Sequence, residues 1–334
     1  MEPHAGARER KLAMFLALSL FFPFLNLGAT NRQGDAPPPS DTQQSPGAIS
    51  VNVELVVLHA TVRDRKGRFV SGLQMQDFQV YEDDQQQTIE SFQHEDVPVA
   101  VGLVVDSSGS MQSKQSYVAA AVSAFAKSSN DQDEMFLVNF NENVTFGLRD
   151  MALLSASPSE FGAALMRAPA MGLTALYDAV NASLAHIQMS SKDKKVLIVI
   201  SDGGDNASKD TLNQVLQRAG RSDVIIYAIG LFDDDDRDRN PRVLKQIASA
   251  TGGQAFFPEE TSGIVSVCER IAADIRSQYT IGYSPTNKTM DGGYRTIKVN
   301  AVGPHGSKLF VRTRAGYIAS PDRASTQDSV GGDK

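Results

Sequence analysis

The 334-residue chain has no tryptophan, one cysteine and five histidines. A single cysteine excludes an intrachain disulfide, so nothing here is a disulfide-stapled scaffold. Cys268 lies among Ile264, Val267, Ile271, Ala272 and Ile275, at the spacing of one helix face, and reads as a core residue rather than a reactive thiol. The histidines (His4, His59, His94, His186, His305) are scattered and form no zinc-type cluster. Basic residues are outnumbered, 32 against 39 acidic, for a net charge of −7, and no basic stripe or basic-aromatic patch occurs. The field is wrong for a nucleic-acid binder. No Gly-x-x-x-x-Gly-Lys loop is present for nucleotide and no Gly-x-Ser-x-Gly elbow for acyl transfer, and an Asp-x-Asp site for phosphoryl transfer starting at Asp106 would need a second Asp where Ser108 stands. The sequence therefore reads as non-enzymatic.

Long apolar runs are also scarce. One lies near the start: Arg8, Arg10 and Lys11 precede Leu12–Leu27, which only Ser19, Pro23 and Asn26 interrupt, and Gly28-Ala29 follows. That is a signal-peptide pattern over 1–29, too short for a comfortable membrane span. The expectation is an exported protein that is periplasmic, surface-bound or secreted. Membrane contact is expected only if this segment stays uncleaved. Residues 30–48, rich in Pro, Gln and Ser, read as a disordered linker, and 320–334 as a disordered tail.

Between these ends the texture changes twice. Over 49–95 the residues alternate apolar and polar: Val51, Val53, Leu55 and Val57 suggest a long strand, and Phe78–Tyr81 and Thr88–Phe92 flank Asp83-Asp84 as an expected hairpin. Over 96–278 short, wholly apolar runs (Val99–Val105, Met135–Phe140, Val196–Ile200, Val224–Ile229) are separated by helical periodicities. Strands buried on both faces and alternating with helices imply an α/β fold, a doubly wound, mostly parallel sheet. Over 279–319 the strand pattern returns. Each β segment is too small to be stable alone. The two are therefore expected to pair into one flanking β-sandwich, with the α/β domain inserted between its halves.

The chemistry concentrates after the first buried run, in Asp106-Ser107-Ser108-Gly109-Ser110. Asp202 stands after another such run, in Ser201-Asp202-Gly203. In an open α/β sheet, ligands bind beyond the carboxyl ends of strands, so neighbouring strands would bring these carboxylates together. Carboxylates and hydroxyls without His or Cys form an all-oxygen set suited to Mg²⁺, with Mn²⁺ or Ca²⁺ as alternatives, and not to zinc.

With Gly172-Leu173-Thr174 added, the set resembles the metal-ion-dependent adhesion site of von Willebrand factor type A domains, over roughly 96–278. The resemblance implies that Ser108 and Ser110 ligate the metal directly. Thr174 would do so directly or through water, and Asp106 and Asp202 mainly through water. It also implies an open position for an Asp or Glu of a partner protein. Asp205 is a candidate supporting residue behind these five, and the acidic run Asp233–Asp236 reads as a solvated loop. Val62-x-Asp64-x-x-Gly67-Arg68, Leu73-x-x-x-Asp77-Phe78 and Arg314-Ala315-Gly316-Tyr317 resemble a group of exported bacterial proteins carrying such a domain between β segments. The functional expectation is a metal-dependent protein-binding module outside the cytoplasm. Its rivals are a metal-independent adaptor in an envelope or secretion complex and, third, a metal-dependent hydrolase.

Overall fold

The computed structural model describes residues 55–94, 96–147, 158–167, 169–233 and 239–319. The expected targeting segment 1–29, the expected linker 30–48 and tail 320–334, and Asp234–Asp236 lie outside the described residues. Among those described, no helix is long and apolar enough to cross a membrane.

The chain begins with β1 (Val56–Arg63), β2 (Phe78–Glu82), β3 (Gln85–Gln87) and β4 (Ile89–Gln93). The α/β part follows, with β5 (Val99–Asp106), α1 (Gln115–Lys127), β6 (Glu134–Phe140), β7 (Val144–Phe146), α2 (Pro158–Arg167) and α3 (Leu176–His186). It continues through β8 (Lys194–Ser201), α4 (Leu212–Arg221), β9 (Ile225–Gly230), α5 (Pro241–Ala250), β10 (Ala255–Phe256) and α6 (Ile264–Arg276). Four strands close the described chain: β11 (Tyr279–Tyr283), β12 (Tyr294–Ala301), β13 (Phe310–Arg312) and β14 (Gly316–Ile318).

The central sheet has the order β10-β9-β8-β5-β6-β7 and is parallel except for β7. Alternation along β5 sorts its side chains between two cores. Val99, Val101, Leu103 and Val105 face α1, α2 and α6, while Ala100 and Val104 face α3, α4 and α5. Both faces are covered, which is why these strands carry no polar alternation. From β5 the chain passes to β6 on one side and later returns to β8 on the other. The carboxyl end of β5 is thus the point where strand order reverses, the usual ligand position in such sheets.

The flanking segments form two four-stranded sheets, β13-β1-β11-β4 and β14-β12-β2-β3, with one shared core that includes Leu58, Val80, Tyr279, Ile281 and Val299. Each sheet takes strands from both ends of the chain. One expectation needs correction. β2 does not pair with the segment around Ile89–Phe92 but with Gln85–Gln87. Asp83 and Asp84 both have positive φ (46° and 63°), the geometry of a tight two-residue hairpin turn, so the residues directly after the turn must pair back. β4 then crosses to the other sheet and pairs with β11.

The sandwich grips the base of the α/β domain through polar side chains. Asp274, near the end of α6 and fully buried, pairs with Arg312 and, at 3.6 Å, with Arg63, and accepts hydrogen bonds from Thr61 and Tyr227. Arg314 donates to the carbonyls of Gly220 and Ser222, left free at the end of α4. Tyr317 and Tyr283 both donate to the buried Glu82 carboxylate. These bonds account for the terminal Arg-Ala-Gly-Tyr pattern. Asp64 accepts from the backbone of Lys66 and Arg68 and closes the turn at Gly67.

Candidate metal centre

Asp106 ends β5 and Asp202 follows β8, its immediate neighbour, so the pairing of the two strands brings the carboxylates to one place. Both are almost fully buried. Asp106 accepts from the Ser108 backbone N–H through Oδ1 (2.8 Å) and from the Ser201 hydroxyl through Oδ2 (2.6 Å). Asp202 accepts from the Gly204 N–H (3.0 Å) and from the Ser110 hydroxyl (2.5 Å). The Ser108 and Ser110 hydroxyls lie 3.2 Å apart, within hydrogen-bond reach of each other. Ser108 is buried, whereas Ser110 is exposed at the mouth.

The Thr174 backbone is tied to the loop that carries Asp202. Its N–H donates to Asn206 Oδ1 (2.8 Å), and its carbonyl accepts from the N–H groups of Asn206 and Ala207, in the loop that carries Asp202. On the other side, Gly109 N–H donates to the Gly172 carbonyl and Met171 N–H to that of Ser107. The three segments holding the five candidate residues are therefore tied to one another directly.

Burial pushes the Asp106 carboxyl up to about 6, and the charge of Asp202 adds to the rise, while the bonds from Ser108 and Ser201 oppose it. Neither carboxylate has an ion-pair partner among the described residues. Two adjacent buried carboxylates without a counter-charge, beside two or three hydroxyls, fit a hard divalent cation in donor type and in charge. No group of three or more His, Cys, Asp or Glu occurs among the described residues, so a softer nitrogen or sulfur site has no candidate there.

The family model for the von Willebrand factor type A domain matches residues 101–268, half of the chain. The chain belongs to that family. Three solved structures similar to it are a von Willebrand factor type A protein from Catenulispora acidiphila, a mussel byssus protein and a Porphyromonas gingivalis pilus protein. The first is 16% identical, with 67% of each chain covered and a TM-score of 0.47. The second, proximal thread matrix protein 1 with its MIDAS motif occupied by zinc, is 17% identical, with 58% of this chain and 49% of that one covered and a TM-score of 0.46. The third, the domain of the type V pili tip protein Mfa5, is 13% identical, with 54% of this chain and 95% of that one covered and a TM-score of 0.43. No curated protein matches the sequence.

In this A domain, Asp205 turns its hydrogen bonds toward α3 and its own loop. Its carboxylate accepts from Tyr177 N–H (3.0 Å) and the Ser208 hydroxyl (2.6 Å), so it caps the start of α3, directly after Thr174. Asp178 is likewise no free surface acid, since it accepts from the N–H groups of Lys209 and Asp210. Three further residues support the candidate site: Ser201, already within the Ser-Asp-Gly pattern, and Asn206 and Lys114, which carry no motif signal. Ser201 bridges Asp106 and the Gly203 N–H, Asn206 holds Thr174, and Lys114 is a buried cation. The Lys114 ammonium donates to the Ser110 carbonyl (3.0 Å) and pairs with Asp233 (2.9 Å). Only the four-residue step from Ser110 to Lys114, one helical turn, hints at that contact beforehand.

Proposed function

We propose that this A domain binds a protein partner through a divalent cation, Mg²⁺ before Mn²⁺ or Ca²⁺, held by Asp106, Ser108, Ser110, Thr174 and Asp202. A bound cation would neutralise the buried acids and leave a residual positive charge for a partner's Asp or Glu. The protein's own residues supply the rest. Asp106 and Asp202 provide the negative field, the serine and threonine hydroxyls point neutral oxygen donors, and Asn206 and Asp205 keep the Thr174 loop in register. The observation that carries the reading is the convergence of two buried, uncompensated carboxylates at the end of β5. The reading is non-catalytic: the Ser110 and Ser201 hydroxyls donate to Asp202 and Asp106, the carboxylates that would serve the cation. Action outside the cytoplasm rests on the targeting pattern of residues 1–29.

Calorimetry with Mg²⁺ and Mn²⁺, with and without glutamate, tests this. Binding is expected in the wild-type protein, tighter with glutamate, and at least tenfold weaker in Asp106→Ala, whose circular dichroism stays native. Binding that ignores Asp106 would move the assignment to the metal-independent adaptor.

A further inference from the structure

Residues 171–174 bound the site on one side, and their backbone is held on three sides. Met171 N–H donates to Ser107, and its carbonyl accepts from the Asn141 side chain (3.2 Å). The Gly172 carbonyl accepts from Gly109, Leu173 N–H donates to the Glu142 carboxylate (3.1 Å), and Thr174 is held by Asn206. Gly172 has φ +85°, and a Cβ there would run into Glu142, so only glycine lets the loop lie this way. While the backbone is fixed, the side chains of Met171 and Leu173 stand 58% and 53% exposed. Single exposed apolar residues are ordinary on a protein surface. Two on a loop whose every residue from Met171 to Thr174 makes a backbone hydrogen bond, one of them next to Thr174, are apolar surface presented with little ordering cost on binding.

We infer that Met171 and Leu173 form the apolar half of the partner site. The occupant is a partner segment that presents an acidic side chain with a large apolar side chain directly beside it. The acid addresses the cation proposed above, on which this inference rests, and the apolar neighbour covers Met171 and Leu173. The Glu142 carboxylate, which braces this loop, disfavours a second acid on that flank and so supports an apolar neighbour in its place.

The test compares two blocked, amidated peptides, Gly-Glu-Gly and Leu-Glu-Leu, titrated into the wild-type protein with Mg²⁺ and followed by methionine-methyl NMR. Leu-Glu-Leu is expected to bind at least tenfold tighter and to shift the Met171 methyl. In a Met171→Ser, Leu173→Ser double variant the ratio between the peptides falls toward one. Equal Mg²⁺-dependent affinities in the wild type, or a preference that survives the double substitution, overturn this inference and leave the metal reading standing. If neither peptide binds in an Mg²⁺- and Asp106-dependent way, both fall together.

Discussion

Lys114 is the least expected residue near the site, a lysine 1% exposed whose partner Asp233 is half exposed. The asymmetry decides which substitution hurts. Asp233→Ala leaves a buried ammonium with the Ser110 carbonyl as its one partner among the described residues and should cost about 1–3 kcal/mol in urea denaturation. Lys114→Met leaves an acid that water can solvate and should cost less. The double variant should be nearly as stable as Lys114→Met alone, and additive losses would sink this account. His59 faces β8 and the β13–β14 link, with Lys194, Lys195 and Arg314 as the charged groups around it and Thr280 as its one hydroxyl contact. Burial first, and then these cations, push its pKa down to about 3, so the folded protein keeps it neutral. Above pH 6.5 it is neutral in both states and its contribution is fully present. Between about 6.5 and 3 only the unfolded chain takes the proton, and stability falls with pH. His59→Gln should flatten the stability profile between pH 4 and 7 by up to one proton, on the order of 4 kcal/mol over the whole window.

Among the elements, β5 illustrates how tightly the α/β core is filled. Gly102 sits where a Cβ would meet the Phe136 ring and the Leu197 side chain. Its alternation places it on the α3–α5 face, between the neighbouring strands β6 and β8. Gly102→Ala should lower stability by about 1–3 kcal/mol through overpacking, and Gly102→Val by more, as read from chemical denaturation. On α6 the apolar spacing from Ile264 to Ile275 anticipates the buried face, and Cys268 on that face is 2% exposed. Desolvation pushes its thiol up to about 12. A thiol reagent at pH 8 should label Cys268 only as fast as the protein opens, so rapid native labelling would contradict the packing.

For the whole molecule, the sandwich and the A domain are coupled through charged side chains that no apolar pattern reveals. Arg312 reaches Asp274 on α6 and also donates to the Gly252 carbonyl (2.6 Å), after α5. Arg276 joins the two chain crossings between the domains, pairing with Asp96 and with the buried Asp133. Arg312→Ala strands part of the Asp274 charge. It should cost about 3 kcal/mol, the low end for a broken buried pair, because Arg63, Thr61 and Tyr227 remain. Calorimetric melting should then broaden or split as sandwich and A domain lose their coupling, whereas a single sharp transition at the wild-type temperature would contradict the clamp.

Sequence alone determined the α/β texture, because strands buried on both faces must be continuously apolar and the helices between them must show a 3.6-residue period. It also singled out Asp106, Ser108, Ser110 and Asp202 as candidates, because ligand loops follow strand ends, whereas Thr174 entered only through the resemblance to the adhesion site. It could not decide which strand follows which within the sandwich. There the turn at Asp83-Asp84, rather than apolarity, sends Gln85–Gln87 back onto β2. Nor could it show how Thr174 is held, since Asn206 is 32 residues away and meets it only when two loops fold together. Buried polar contacts such as Lys114 with Asp233, or Arg312 with Asp274, depend on distances across the fold, and one-dimensional spacing carries no record of them. The tertiary structure alone decided these contacts, because each becomes favourable only once burial has removed water as the competing partner.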